Sequence, residues 1–463
     1  MNRALIDSLP PAAASGDWER VRTLVAASGV TEVVLDDDPT GTQTMHGIDV
    51  LADWSVASLA RALSDRAPCF YVLTNSRSLP ASEAAALYAR IAANLKEAAA
   101  SAGRDFFVVS RSDSTLRGHF AEELGALESG LGQAISGTLV IPAFFEGGRV
   151  TAGDVHYVAE GDVLTPAAET EFARDTTFGY RHSNLREWIQ EKTKGRVQAS
   201  TVASFGIETL RAIGGADRVR EQLLALPHGA YAVVNAAAYA DLEVFVHGLL
   251  QAEALGRRFL CRTAASFVRV RAGIDPRPLL EPAELRGPGV AGGLLVVGSY
   301  TQKTTRQLQS VLALPNVTEI ELDVGQLAEP VARDAEIDRV CDAAIAVMQL
   351  GRQAVVYTSR GLSSALGVAG DLRVGRTISE ALVAVVRAIP LRPRFLIAKG
   401  GITSNDIAVL GIGMQRARVV GQASAGVPVW LMGPETRFPG LPFVVWPGNV
   451  GGDNALRDLL ERL

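Results

Sequence analysis

The chain has 463 residues, a formal net charge of −5, and 48% hydrophobic against 21% charged residues. That length exceeds what one hydrophobic core usually serves and predicts two domains; the acidic balance with no basic run argues against a nucleic-acid surface, and no apolar stretch reaches the ~18–20 residues of a membrane-spanning helix. The N-terminus, MNRALIDSLPPAAASGDWER, lacks a cationic segment followed by an apolar one, so a cytoplasmic protein is expected, and Cys69, Cys261 and Cys341 fit reduced core thiols rather than a zinc site or a disulfide framework.

A helix near Trp18–Ala27 leads into an apolar strand that ends in VVLDDDPTGTQT (33–44). Three consecutive carboxylates stand where the strand stops, and Pro39 with Gly41 turns the backbone out of the ladder. Acids in one turn repel one another unless cations, donors or water offset them, and Thr40, Thr42, Gln43 and Thr44 add side chains that a polar ligand needs. The alternative is a solvated acidic turn. GIDVLAD (47–53) reads as a short strand, with a helix following near Val56–Leu63. CFYVLTNSRSLP (69–80), DFFVVSRSDSTLRGHF (105–120) and TLVIPAFFEGGR (138–149) each read as a strand ending in a polar turn. Between them lies an alanine-rich helix, Ala81–Ala102, opened by Pro80 and Ser82 and closed at Gly103. Four such runs separated by helix-length segments describe a mostly parallel sheet with its site along one edge. Residues 149–196 are more irregular and read as an elaboration near that site.

Strand and helix alternate again through YAVVNAAAY (231–239), a helix over 241–256 and FLCRT (259–263). From Arg271 to Gly293 four prolines and five glycines break any period, which makes this the best boundary. The expected organisation is therefore an N-terminal domain over 1–270, a linker over 271–293 and a C-terminal domain over 294–463. The second half reads as strand, turn and helix at 294–314, a strand at 318–324, a long helix near Val331–Leu350, and a strand at 354–359. A helix near Ser379–Ile389 and strands at 394–399, 417–422, 427–432 and 443–446 follow. The fold class expected is two α/β domains with mostly parallel sheets and a cleft between them.

Polar residues concentrate at four strand ends of the first half: Asp36 to Asp38, Asn75-Ser76-Arg77, Arg111-Ser112-Asp113-Ser114 with Arg117, and Glu146 to Arg149. A guanidinium fork grips a carboxylate in two places while Asp and Ser bind hydroxyls, so the set suits a small sugar acid; singly, Arg77 or Arg111 could merely pair with an acidic surface turn. The second half offers glycine–hydroxyl turns at Gly298-Ser299, Gly400-Gly401-Ile402-Thr403 and Pro447-Gly448-Asn449-Val450-Gly451. Backbone N–H groups in such turns favour anionic phosphates, although no GxxxxGK[ST] P-loop occurs and a Gly-Gly turn is often only a helix cap. Lys399 draws notice because the chain has just five lysines. Together these features suggest phosphoryl transfer across a cleft, in which a hydroxyl attacks the γ-phosphate of ATP while Mg²⁺ and cationic groups offset charge, with Asp38 or Asp113 as the general base. No residues are singled out as protein ligands for a metal.

At these residues the chain resembles the four-carbon acid sugar kinase family, through DDPTG (37–41), NSR (75–77), RSDSTLRGH (111–119), KGGITSND (399–406) and PGNVGG (447–452). The resemblance runs over nearly the whole chain and implies an N-terminal sugar-acid domain, a C-terminal ATP domain, and ATP-dependent phosphorylation of threonate, erythronate or a 3-oxo-tetronate. By motif position it implies substrate contacts from Asp37, Asp38, Arg77, Arg111, Ser112, Asp113 and Ser114. ATP contacts fall to Ser299, Gly400, Gly401, Ile402, Thr403 and Gly448. Pro39 after the acidic pair and Arg111 before the Asp-Ser-Thr block depart from many relatives and alter the pocket walls. The expected partners are the sugar acid and ATP, with no nucleic acid or membrane, in a homodimer. Two rival readings stand beside this one. Asp36, Asp38 and Thr40 satisfy the D-x-D-x-T pattern of a haloacid-dehalogenase-type sugar phosphatase, and two lobes would also suit a non-catalytic sugar-acid sensor.

Overall fold

A computed structural model describes residues 4–12, 16–132, 134–299, 301–360, 372–448 and 450–463. Its strands are, in chain order, β1 (Thr31–Asp36), β2 (Ile48–Leu51), β3 (Cys69–Leu73), β4 (Phe106–Arg111), β5 (Gly137–Ile141), β6 (Arg149–Ala152), β7 (Val155–Glu160), β8 (Val163–Pro166), β9 (Ala203–Phe205), β10 (Ala230–Val234) and β11 (Phe259–Thr263). They continue as β12 (Leu294–Val297), β13 (Val317–Leu322), β14 (Gln353–Thr358), β15 (Leu396–Lys399), β16 (Arg416–Ser424), β17 (Val427–Met432) and β18 (Pro442–Trp446). Two compact units result, one from residues 1–44 and 53–276, the other from 45–52 and 277–463. Among the described residues no helix is long and apolar enough to cross a membrane.

In the first unit the strands lie in the order β3-β1-β4-β11-β5-β10-β9 and every pairing is parallel. Burial on both faces explains why the strands read as unbroken apolar runs: Val33, Val34, Leu35, Phe70, Tyr71, Val109, Leu139 and Cys261 are all buried. The helix over Ala81–Ala102 forms as its sequence predicts, with Gly103 in the left-handed region ending it. In the parallel register Asp36 is level with Leu73 and Arg111, Arg111 with Thr263, and Thr263 with Ile141. The polar turns therefore leave the sheet in one row. The connection after β1 leads to β3 on one side and that after β4 leads to β5 on the other, so β1 and β4 flank the reversal of strand order, where open α/β sheets bind ligands.

Residues 149–196 are more regular than their composition suggests. β6, β7 and β8 form an antiparallel meander, whose buried face of Val150, Ala152, Tyr157 and Leu164 packs into a small core of its own.

In the second unit β13-β14-β12-β15-β18 are parallel, and β17, β16 and β2 add antiparallel strands. The GIDVLAD strand thus belongs to this unit although it lies early in the chain, and Asp49 on it pairs with Arg416 and, at 3.1 Å, with Arg418 of β16. Val297 is level with Tyr357 and Lys399, and Lys399 with Trp446. Here β12 and β15 flank the reversal, since the chain leaves them toward β13 and toward β18 respectively.

Candidate active site

At the first reversal the three aspartates stand in different surroundings. Arg111 Nη1 donates to Asp36 Oδ1 at 3.1 Å; burial pushes the Asp36 carboxyl up to about 7, with Asp37 and Asp38 adding to the rise and Arg111 opposing it. Asp37 accepts from Arg77 Nη2 at 3.1 Å and from the Ser112 hydroxyl. Asp38 pairs with Arg77 Nη2 at 3.0 Å, and its Oδ1 accepts from Thr40 N at 2.8 Å, capping the short helix Pro39–Thr42. Burial raises Asp38, but Arg77 and the Thr40 bonds outweigh it and hold the carboxyl below its ordinary range. Its side chain is 18% exposed where those of Asp36 and Asp37 are covered, so Asp38 is the most accessible of the trio.

Asp113 accepts from Arg117 Nε at 2.6 Å and from the Thr115 hydroxyl, with Arg77 Nη1 at 3.9 Å. Burial works against ionisation, and the two arginines overcome it to hold the carboxyl far below the usual carboxylate range. Ser114 is fixed through its main chain: His156 Nε2 lies 2.8 Å from the Ser114 carbonyl and Nδ1 lies 2.9 Å from Thr151 Oγ1. A carbonyl only accepts, so Nε2 carries the proton and the Thr151 hydroxyl donates to Nδ1. Burial pushes His156 down to about 4, leaving a neutral ring.

A second layer, which the sequence reading passed over, supports this row. Arg262, one residue before the end of β11, donates to Ser112 Oγ at 2.7 Å and Ser110 Oγ at 2.8 Å and pairs with Glu123. Glu123 in turn accepts from Ser76 Oγ at 2.6 Å. The signal was present in FLCRT, a strand end carrying arginine, but nothing local marks Glu123 as its partner. Gly118 is required here: its φ is +115° and a Cβ would come within 2.6 Å of Ser112 Oγ and 2.8 Å of Arg262 Nη2. Arg149 opens β6 nearby, its guanidinium 5.7 Å from the centre of the Phe172 ring that Arg117 also covers at 5.2 Å.

The second cluster gathers at the β12/β15 reversal. Gly298 and Ser299 follow β12, Gly400 precedes the helix Gly401–Asp406, and Pro447 and Gly448 follow β18; Asn449 lies outside the described residues. Thr304 Oγ1 donates to Ser299 Oγ at 3.0 Å, and the bare Cα of Gly448 faces the same hydroxyl, 3.5 Å from where a Cβ would sit. A side chain on Gly298 would collide with Thr403 Oγ1 and stand 3.0 Å from Leu382, so Ser299, Gly400, Thr403 and Gly448 come together, whereas Ile402 is 52% exposed. Beneath them Lys399 is fully buried, donating from Nζ to the Pro447 carbonyl at 2.8 Å. Burial lowers its ammonium to about 7, and Lys303 and Arg360 push the same way. Such a group gains from a nearby anion. The carboxylates of the first cluster are each engaged by a guanidinium, and among the described residues no group of three His, Cys, Asp or Glu is placed to hold a metal.

A model of the sugar-binding N-terminal domain matches residues 32–271 and one of the nucleotide-binding C-terminal domain matches 294–456. The chain is 26% identical over 320 residues to a D-erythronate kinase of Heliobacterium modesticaldum, an alignment that covers 66% of each sequence. Two solved structures share the fold. One is a Salmonella typhimurium LT2 protein provisionally named a tRNA synthase, with a TM-score of 0.67 and 17% identity over 93% of this chain and 98% of that one. The other is a domain-of-unknown-function protein from Haemophilus influenzae, with a TM-score of 0.62 and 20% identity over 93% and 99%. With both domain models placed on the units that carry the two clusters, the chain belongs to the four-carbon acid sugar kinase family.

Proposed function

We propose that the protein transfers the γ-phosphoryl group of ATP, supplied as its Mg²⁺ complex, to a hydroxyl of a four-carbon or similarly small sugar acid. The observation that carries this reading is the division of chemistry between the units: aspartates, arginines and hydroxyls at one strand reversal, glycine walls over a buried lysine at the other, each within the matching domain type. The likeness to a D-erythronate kinase supports the acid class.

In this reading Asp38, ionised at neutral pH and open to a ligand, accepts the proton of the attacking hydroxyl; Asp113 orients a neighbouring hydroxyl and is the second candidate for that role. Phosphoryl transfer leaves little covalent chemistry to the protein, so orientation and electrostatics carry most of the rate. Asp37, Arg77, Arg111, Ser112 and Ser114 shape the acid pocket. Ser299, Gly400, Gly401, Ile402, Thr403 and Gly448 receive the nucleotide, and Lys399 supplies positive charge beneath them. The phosphatase reading has no support at its nucleophile: Asp36 is 2% exposed, bound to Arg111, and covered by Gly41, where even a Cβ would strike the carboxylate. A coupled ADP assay over a panel of four-carbon and branched sugar acids tests the proposal. ADP forms only with an acid acceptor present; phosphate release from a sugar phosphate without nucleotide would favour the phosphatase instead.

A further inference from the structure

The guanidinium groups around the first cluster are almost all committed. Arg77 serves Asp37 and Asp38, Arg111 serves Asp36, Arg117 serves Asp113 and Asp175, and Arg262 serves Glu123. Lys192 directs its ammonium to the Phe178 and Gly179 carbonyls at 3.1 and 2.7 Å. Arg149 differs. It has no carboxylate within ion-pair distance among the described residues and its Nη1 donates only to the Gly147 carbonyl; its buried Nε, like those of Arg77 and Arg111, has no hydrogen-bond partner. Burial pulls it below the ordinary guanidinium value, whereas carboxylates overcome burial and push Arg77, Arg111 and Arg117 upward.

Its position suits a ligand's charged end. Arg149 opens β6 just past the β5 strand end, shares the Phe172 ring with Arg117, and feels the charges of Asp113 and Arg117. It is partly exposed, so an anion can reach it. A largely desolvated cation without an anionic partner costs stability unless something compensates it, and a planar guanidinium fork matches a carboxylate in two places.

We propose that Arg149 receives the carboxylate of the substrate, while the neighbouring aspartates take its hydroxyls, so that Arg149 sets the preference for an acid over the corresponding neutral polyol; this rests on the kinase reading above. Arg77 and Arg111, which shape the same pocket, already share their charge with Asp36, Asp37 and Asp38.

The test compares D-erythronate with erythritol as acceptors in the full-length enzyme, using the wild type, Arg149→Gln and Arg149→Lys. Losing one charge-assisted fork lowers the acid-over-polyol ratio of kcat/KM by about 10–100-fold in Arg149→Gln, chiefly through the KM for the acid. Arg149→Lys, which keeps the charge without the fork, recovers only part of the loss. Should the glutamine variant fail to fold by circular dichroism, the lysine variant decides, with an acid KM at least about tenfold above wild type expected. An unchanged ratio in the folded variants of an active enzyme overturns the role of Arg149 and leaves the kinase reading standing. A wild type that makes no ADP with any acid overturns both.

Discussion

The two strand-end clusters occupy equivalent places in their sheets and balance charge in opposite ways. In the first, Asp36, Asp37, Asp38 and Asp113 each lie against a guanidinium, and Arg262 with Glu123 braces the row from behind. In the second, a buried lysine has main-chain carbonyls as partners and two further cations near it. A frame already neutralised can orient hydroxyls without rearranging. A buried amine whose protonation is held down by desolvation and neighbouring cations gains most from a ligand that brings negative charge, which is the behaviour expected of a phosphate seat.

The largest expected effect breaks the first cluster. Asp38→Asn lowers kcat by ~10²–10⁴-fold, the usual worth of general-base help, with the KM for ATP nearly unchanged. Asp113→Asn is the companion; if steady-state assays give less than a tenfold loss for both, neither carboxylate is the base.

Acid attacks the first unit next. The folded pKa of His156, about 4, lies below its unfolded value near 6.5, so its contribution to stability is complete above pH 6.5 and is lost as pH falls toward 4. The loss amounts to about 3 kcal/mol at its limit, visible in calorimetric melts as an acid limb that flattens in His156→Asn.

For the second cluster, Lys399→Met raises the KM for ATP by about 10–30-fold and leaves the acid KM alone, as removal of a charged hydrogen-bond donor predicts. Because its ammonium sits at about 7, nucleotide phosphates draw a proton onto it. Calorimetry at pH 8 in buffers of different ionisation enthalpy therefore records proton uptake on nucleotide binding, absent in the methionine variant. The smallest change is Ile402→Ala: a half-exposed side chain alters stability by less than about 0.5 kcal/mol, and a thermal melt reads it directly, while the nucleotide KM rises only a few-fold.

Local signals carried much of the fold. Ala81–Ala102 has its opening proline, its composition and its glycine stop within one segment, and the apolar runs ending in DDD, NSR and RSDS announce parallel strands with chemistry at their ends. Pairings between distant segments were not legible in the same way. Nothing around 47–53 says that this strand joins β16, because the partner that fixes it lies more than three hundred residues on, through Asp49 with Arg416 and Arg418. Glu123 looks like an ordinary helix residue until Arg262 arrives from β11. The meander at 149–166 was hidden because neither face gives a clean alternation: Val150, Ala152, Tyr157 and Leu164 line an apolar core on one side, while Thr151, His156 and Val158 are buried on the other, where His156 reaches the Ser114 carbonyl.

The account stands most directly on the fate of the γ-phosphoryl group, followed by phosphorus NMR in a mixture of the enzyme, Mg-ATP and D-erythronate. It predicts a phosphomonoester resonance that grows in step with ADP and vanishes when the acid is omitted. Inorganic phosphate appearing without the acid, or no ADP with any member of the acid panel, would contradict it.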